Sequence, residues 1–135
     1  MRPWPRGAAS PPYLPDWLIW VGRAAFLAGI WGIYRVFREN SFGAPVVRIQ
    51  AERGHHVIST GPYAWVRHPM YSGAVLFMVG AALLLGSWWG TAISPISAVL
   101  FGIRIGIEER TLTTGLPGYA DYAARVRYRL VPGLW

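Results

Sequence analysis

The sequence predicts an all-α integral membrane protein with about three transmembrane helices, a first span and then a tight helical hairpin, followed by a C-terminal interfacial helix. Three observations predict it. Hydrophobic residues make up 53% of the 135 positions and charged residues only 14%, unlike a typical water-soluble domain. Two long apolar blocks hold most of that hydrophobicity. All thirteen basic residues are arginines, they fall mainly outside the blocks, and they give a net charge of +7, as suits a chain touching anionic lipid head groups. No nucleic-acid motif accompanies that charge, so nucleic acid is not an expected partner. Cysteine is absent, which excludes disulfides, thiolate metal sites and cysteine nucleophiles.

Residues 1–16 are rich in proline and are expected to be disordered. The first block, residues 17–37, is about 21 residues long and can cross a bilayer core of about 30 Å. It exceeds the core of a signal peptide and lacks a small-residue cleavage site, so it is expected to stay uncleaved. Arg23 is its one interior charge, able either to snorkel to the interface or to find an intramembrane partner. The second block runs from Met70 to Ile103 without a charge. As one helix of about 34 residues it would overshoot the membrane, so it must turn back. Glycines, tryptophans and Pro95 in Gly86–Pro95 mark the turn. The expected spans are therefore 17–37, 70–86 and 91–107, within one membrane domain covering 17–135. Arginines crowd the connection 38–69, with its flank Arg35, and the tail 108–135, while the turn near Trp88 has none. That places the connection and tail on the cytoplasmic side and the N-terminus outside.

Functional groups gather at both cytoplasmic ends of the hairpin. In "VRHPMYSG", Pro69 fits the first turn of a helix, so that Arg67, His68 and Tyr71 crown its N-terminus, a place whose free amides and dipole suit an anion. Upstream, "GHHVISTGPY" supplies two imidazoles, two hydroxyls and a Gly61-Pro62 turn. The third span carries Ser94, Ala98, Gly102 and Gly106 on one face, a pattern of close helix packing or of a ligand channel. Arg104, Glu108 and Glu109 close it, with Arg104 and Glu108 placed to pair four residues apart. An antiparallel hairpin would bring Arg67, His68, Tyr71, Glu108 and Glu109 together. Such a cluster is either an interfacial salt-bridge group that fixes the helices or a site with both an anion and a cation half. Beyond Leu112, Tyr119, Tyr122, Ala123, Val126 and Leu130 follow a helical rhythm expected of a surface helix that roofs the site or anchors the tail. Asp121 and Arg125 add an i, i+4 pair. His55, His56 and His68 specify no metal site.

The order G-H-x-V-I-x-T-G-P-Y, V-R-H-P-M-Y-x-G, a charge-free hairpin, E-E-R-x-L and L-P-G-Y-x-x-Y-x-x-R-V-R-Y-R-L-V-P resembles the isoprenylcysteine carboxyl methyltransferase family, which is related to the membrane phospholipid N-methyltransferases. The resemblance covers about residues 40–135. It implies a membrane methyltransferase using S-adenosylmethionine, with His55, Gly61, Tyr63, Arg67, His68, Tyr71, Glu108 and Glu109 at the cofactor, and Arg67, Glu108 and Glu109 as the catalytic candidates. Arg67 and the helix N-terminus would face the cofactor carboxylate, and the glutamates its ammonium. The acceptor it implies is a lipophilic carboxylate or amine, a lipid or a lipidated protein. Better-known members have more spans before this core, so part of the acceptor tunnel is expected to be absent or supplied by another subunit, as in a homo-oligomer. The competing expectations are a membrane reductase using a nicotinamide dinucleotide and a non-catalytic interaction protein.

Overall fold

The structure, a computed structural model, describes residues 14–40, 54 and 56–135. The described residues form α1 (Asp16–Glu39), a single 3-10 turn (Gly61–Ala64), α2 (Pro69–Leu84), α3 (Trp88–Ile93), α4 (Pro95–Gly115) and α5 (Tyr119–Arg125). No strand occurs among them. Residues 1–13 of the segment expected to be disordered, and 41–53 and 55 of the connection, lie outside the described residues, while Asp16 already belongs to α1.

α1 matches the first predicted span to within two residues at each end. Its outer face presents Trp17, Trp20, Leu27, Trp31 and Phe37, apolar surface of the kind lipid covers. Arg23 takes no acidic partner among the described residues; its guanidinium sits 4.4 Å from the centre of the Trp20 ring, a cation-π stack. α1 and the stretch Trp88–Gly115 are long and apolar enough to cross a membrane. α2 has 16 residues, about 24 Å at helical rise.

The predicted turn contains a helix of its own. Gly86 at φ 67° ends α2, a left-handed conformation that glycine adopts without strain. The Ser87 hydroxyl then caps α3 by accepting from Gly90 N at 3.0 Å. Pro95 opens α4 directly after Ser94, where its missing N–H costs nothing. α4 runs on to Gly115, eight residues past the expected end. Glu108 and Glu109 therefore stand inside the helix, about two turns before its end, rather than in its last turn.

The closest helix packing is between α1 and α2, which run antiparallel. Gly22, Gly29 and Val36 recur every seven residues on the buried side of α1, and Gly73 and Gly80 do so on α2. Seven-residue spacing keeps one seam in contact between two helices. A Cβ added at Gly29 would lie 2.5 Å from Phe77 N, and one at Gly80 would meet the backbone of Phe26, so the chains touch where only glycine fits. Phe26 and Phe77 pack beside this seam with ring centres 4.9 Å apart. By contrast, the Gly102-Gly106 half of the small-residue stripe does not make the expected close helix contact, although Ser94 at its head is buried. A Cβ at Gly106 would meet nothing within 4 Å and one at Gly102 only the Trp135 ring; α4 instead buries Ser97 and Ile105. Gly80→Leu should accordingly cost about 1–3 kcal/mol through overpacking, read as a lower thermal midpoint in detergent, while Gly106→Ala should leave that midpoint in place.

The tail departs most from expectation. Its helix stops after seven residues at Arg125, and Val126 is extended. Residues 128–130 then cross the head of α2, where Arg67 N donates to Tyr128 O at 2.8 Å, His68 N to Arg129 O at 2.9 Å, and Ser72 Oγ to Leu130 O at 2.7 Å. Backbone capture by α2 outweighs the helical rhythm of the side chains. Asp121 and Arg125 form no ion pair with each other among the described residues.

Candidate functional site

The site is assembled where the head of α2 meets the second half of α4. His68, at φ −125° and ψ 59°, stays out of the helical region that the following proline disfavours, and it is buried. Its Nε2 lies 3.0 Å from Glu109 Oε1, Arg67 Nε lies 2.8 Å from the same oxygen, and Arg129 Nε donates to Glu109 Oε2 at 3.1 Å. One carboxylate thus gathers two arginines and a histidine from the α2 head and the tail. Arg67 Nη1 also donates to Ala123 O at 3.2 Å, tying α5 to the cluster. The helix N-terminus expected to bind an anion is covered by the chain's own tail, and Arg67 faces Glu109. The compensation that Glu109 needs comes from Arg67, His68 and Arg129, so its charge is met within the chain.

Glu108 is held differently. Arg104 Nε donates to Tyr71 Oη at 2.7 Å, and Tyr71 Oη donates to Glu108 Oε2 at 2.8 Å. The expected direct pair of Arg104 with Glu108 is replaced by this relay through a tyrosine from the facing helix. Tyr71 is itself fixed between His68 and Phe101, with ring centres at 5.9 and 5.0 Å. Glu108 Oε1 accepts no hydrogen bond from the described residues, and the side chain is half-buried. An ionised oxygen fixed on one side and open on the other is suited to a cationic group.

Gly61 opens the 3-10 turn at φ 58°, and a Cβ there would fall 2.7 Å from Glu39 Oε1. Thr60 Oγ1 donates to Glu39 Oε2 at 2.8 Å. The turn delivers Tyr63, whose hydroxyl accepts from Asn40 Nδ2 at 2.9 Å. Burial pushes the Tyr63 hydroxyl pKa up; the Asn40 bond opposes this and the charge of Glu108 adds to it. Tyr63 therefore stays a neutral phenol beside the carboxylate. Of the sequence-predicted residues, the structure brings Arg67, His68, Tyr71, Glu108 and Glu109 together, with Gly61 and Tyr63 at the edge. His55 lies outside the described residues, and His56 is exposed against Gly54 O. No cluster of three metal-ligating side chains occurs among the described residues.

Sequence reasoning did not single out Glu39, Asn40 or Arg129 as site neighbours, and it read Tyr119 and Tyr122 only as one face of a surface helix. Tyr122 donates to Tyr63 O at 2.7 Å and is almost wholly buried. Tyr119 is 5% exposed, and its hydroxyl has no hydrogen-bond partner among the described residues. Burial pushes both phenols further up. Beside them, Val57, Ser59, Gly118, Asp121 and Arg125 line an open cleft of about 570 Å³.

Comparison with known proteins follows from this geometry. The model of the phospholipid methyltransferase family matches residues 17–116, from α1 to the end of α4. Protein-S-isoprenylcysteine O-methyltransferase B of Arabidopsis thaliana is 32% identical over 90 residues, 60% of this chain and 42% of the relative. The cobalt-zinc-cadmium resistance protein CzcN of Cupriavidus metallidurans is 30% identical over 78 residues, 57% of this chain and 36% of the relative. A solved structure of a eukaryotic intramembrane Ras methyltransferase, isoprenylcysteine carboxyl methyltransferase, superposes with a TM-score of 0.76 at 27% identity, over 87% of this chain and 43% of that one. The chain thus spans less than half the length of each of these proteins. Its two long apolar helices and the shared fold of an intramembrane protein make it an integral membrane protein. By its match along α1 to α4, the chain belongs to the phospholipid methyltransferase family.

Proposed function

We propose that this chain is a membrane methyltransferase that uses S-adenosylmethionine and acts on a lipophilic acceptor from the cytoplasmic side. One observation carries this: α4 delivers Glu108 to the α2 head with one carboxylate oxygen held by Tyr71 and the other accepting no hydrogen bond from the described residues. The donor set fits S-adenosylmethionine, whose ammonium needs an anionic oxygen and whose carboxylate needs buried donors. When bound, the cofactor supplies a methyl group on a sulfonium, which is already activated for in-line displacement. The chain therefore needs no covalent nucleophile, and its residues act mainly by positioning. Glu108 would take the ammonium, and Tyr63 and Tyr71 would flank it. His68, Arg129 and Glu109 hold the α2 head against α4, so their contribution is the geometry of the site. For an amine acceptor, Glu108 could accept the released proton; a carboxylate acceptor needs no base. One relative is named for an isoprenylcysteine acceptor, whereas another is named only for metal resistance, so the acceptor is proposed only as lipophilic. The arginines flanking α1 and in the tail support the cytoplasmic placement.

Titration calorimetry of the purified protein in detergent tests this against the competing reductase. S-adenosylmethionine should bind with a saturable heat, and a reduced nicotinamide dinucleotide should give none. Binding of the dinucleotide alone would remove the proposal.

A further inference from the structure

The Tyr119 hydroxyl has no assigned role, and its surroundings give it one. It is buried at 5% exposure without a hydrogen-bond partner among the described residues, whereas the neighbouring Tyr122 hydroxyl donates to Tyr63 O. Buried phenols normally find a partner. The ring packs against Leu116 and Tyr122, and the charges of Glu109, Arg67 and Glu108 are near enough to influence its hydroxyl. Arg67 Nε is a second buried donor in this region. It sits 2.8 Å from Glu109 Oε1, yet its N–H does not point along a hydrogen bond to that oxygen. Two buried donors without a directed acceptor call for a ligand that brings an acceptor oxygen.

Resting on the methyltransferase proposal, we infer that Tyr119 Oη donates to the carboxylate of the bound methyl donor, alongside Arg67. This assigns the anionic half of the ligand to α5 and the α2 head, and the cationic half to Glu108. The amides of Arg67 and His68, just before α2, already donate to the tail carbonyls of Tyr128 and Arg129, so side-chain donors take their place at the carboxylate.

The test uses Tyr119→Phe with two ligands, S-adenosylmethionine and its decarboxylated analogue, measured by calorimetry on the full chain in detergent. Since the hydroxyl is unpartnered without ligand, the variant should melt at or above the temperature of the unsubstituted protein. Its affinity for S-adenosylmethionine should fall about tenfold or more, the loss expected of a hydrogen bond to a charged group. Its affinity for the decarboxylated analogue should not change. Unchanged affinity for S-adenosylmethionine, or an equal loss for both ligands, would overturn the inference. So would a clearly lowered melting temperature, which would mean that the hydroxyl already has a partner. Failure of the unsubstituted protein to bind S-adenosylmethionine would instead remove the methyltransferase proposal beneath it.

Discussion

Glu109→Ala is expected to cost about 3–5 kcal/mol of stability, the penalty for leaving buried charges without their counterion. Arg67 Nε and His68 Nε2 both lie within 3.0 Å of Glu109 Oε1, and their side chains are 9% and 4% exposed. Removing the carboxylate would leave a buried guanidinium with only a carbonyl bond to Ala123. Arg129, more exposed, would lose less because water screens it. The tail should also loosen, since Arg129 is one of its anchors on α4. Thermal unfolding in detergent measures the loss, and protease digestion of the tail reads the loosening. A midpoint that stays in place would mean that the tail's backbone bonds to the α2 head suffice without the ion network.

Glu108→Gln is the counterpart, with a large effect on ligand and a small one on the fold. The amide keeps the shape and can still accept from Tyr71 Oη, so the relay from Arg104 survives. What it loses is the negative charge on the open oxygen. A charge-assisted hydrogen bond to an ammonium contributes about 1.5–3 kcal/mol, so affinity for S-adenosylmethionine should fall about tenfold to a hundredfold. The melting midpoint should shift far less than in Glu109→Ala. Two adjacent glutamates would then separate cleanly into one that holds the site together and one that faces the ligand, which is the division that their contacts describe.

The long helices and the meeting of the hairpin ends were legible because each depends on local signals: the charge-free run, Pro69 and Pro95 at helix starts, and Gly86 as the breaker. The charges made Glu109's need for a cation legible as well. What was hidden needed a second element in space. The glycine seam between α1 and α2 is a seven-residue recurrence on each helix, but only their pairing shows that Gly29 and Gly80 are contact points and that Gly102 and Gly106 are not. Tyr71 between Arg104 and Glu108 was hidden for the same reason, since an i, i+4 rule sees one helix only. The tail misled because Tyr119, Tyr122 and Val126 do follow a helical period. That period continues past Arg125, whereas the backbone turns to bond the α2 head, so tertiary hydrogen bonds decided against local pattern. Glu39 and Asn40, at the end of α1, reach the site only because the 3-10 turn folds back onto them.

Methyl transfer at the Glu108 end of the α2–α4 junction is tested by incubating the purified protein with methyl-labelled S-adenosylmethionine and a membrane lipid extract, then following label in the organic phase. Label should enter a lipophilic product, and Glu108→Gln should strongly reduce it in a variant that melts normally. Undiminished labelling by that variant, or no labelling by an unsubstituted protein that binds the dinucleotide instead, would contradict it.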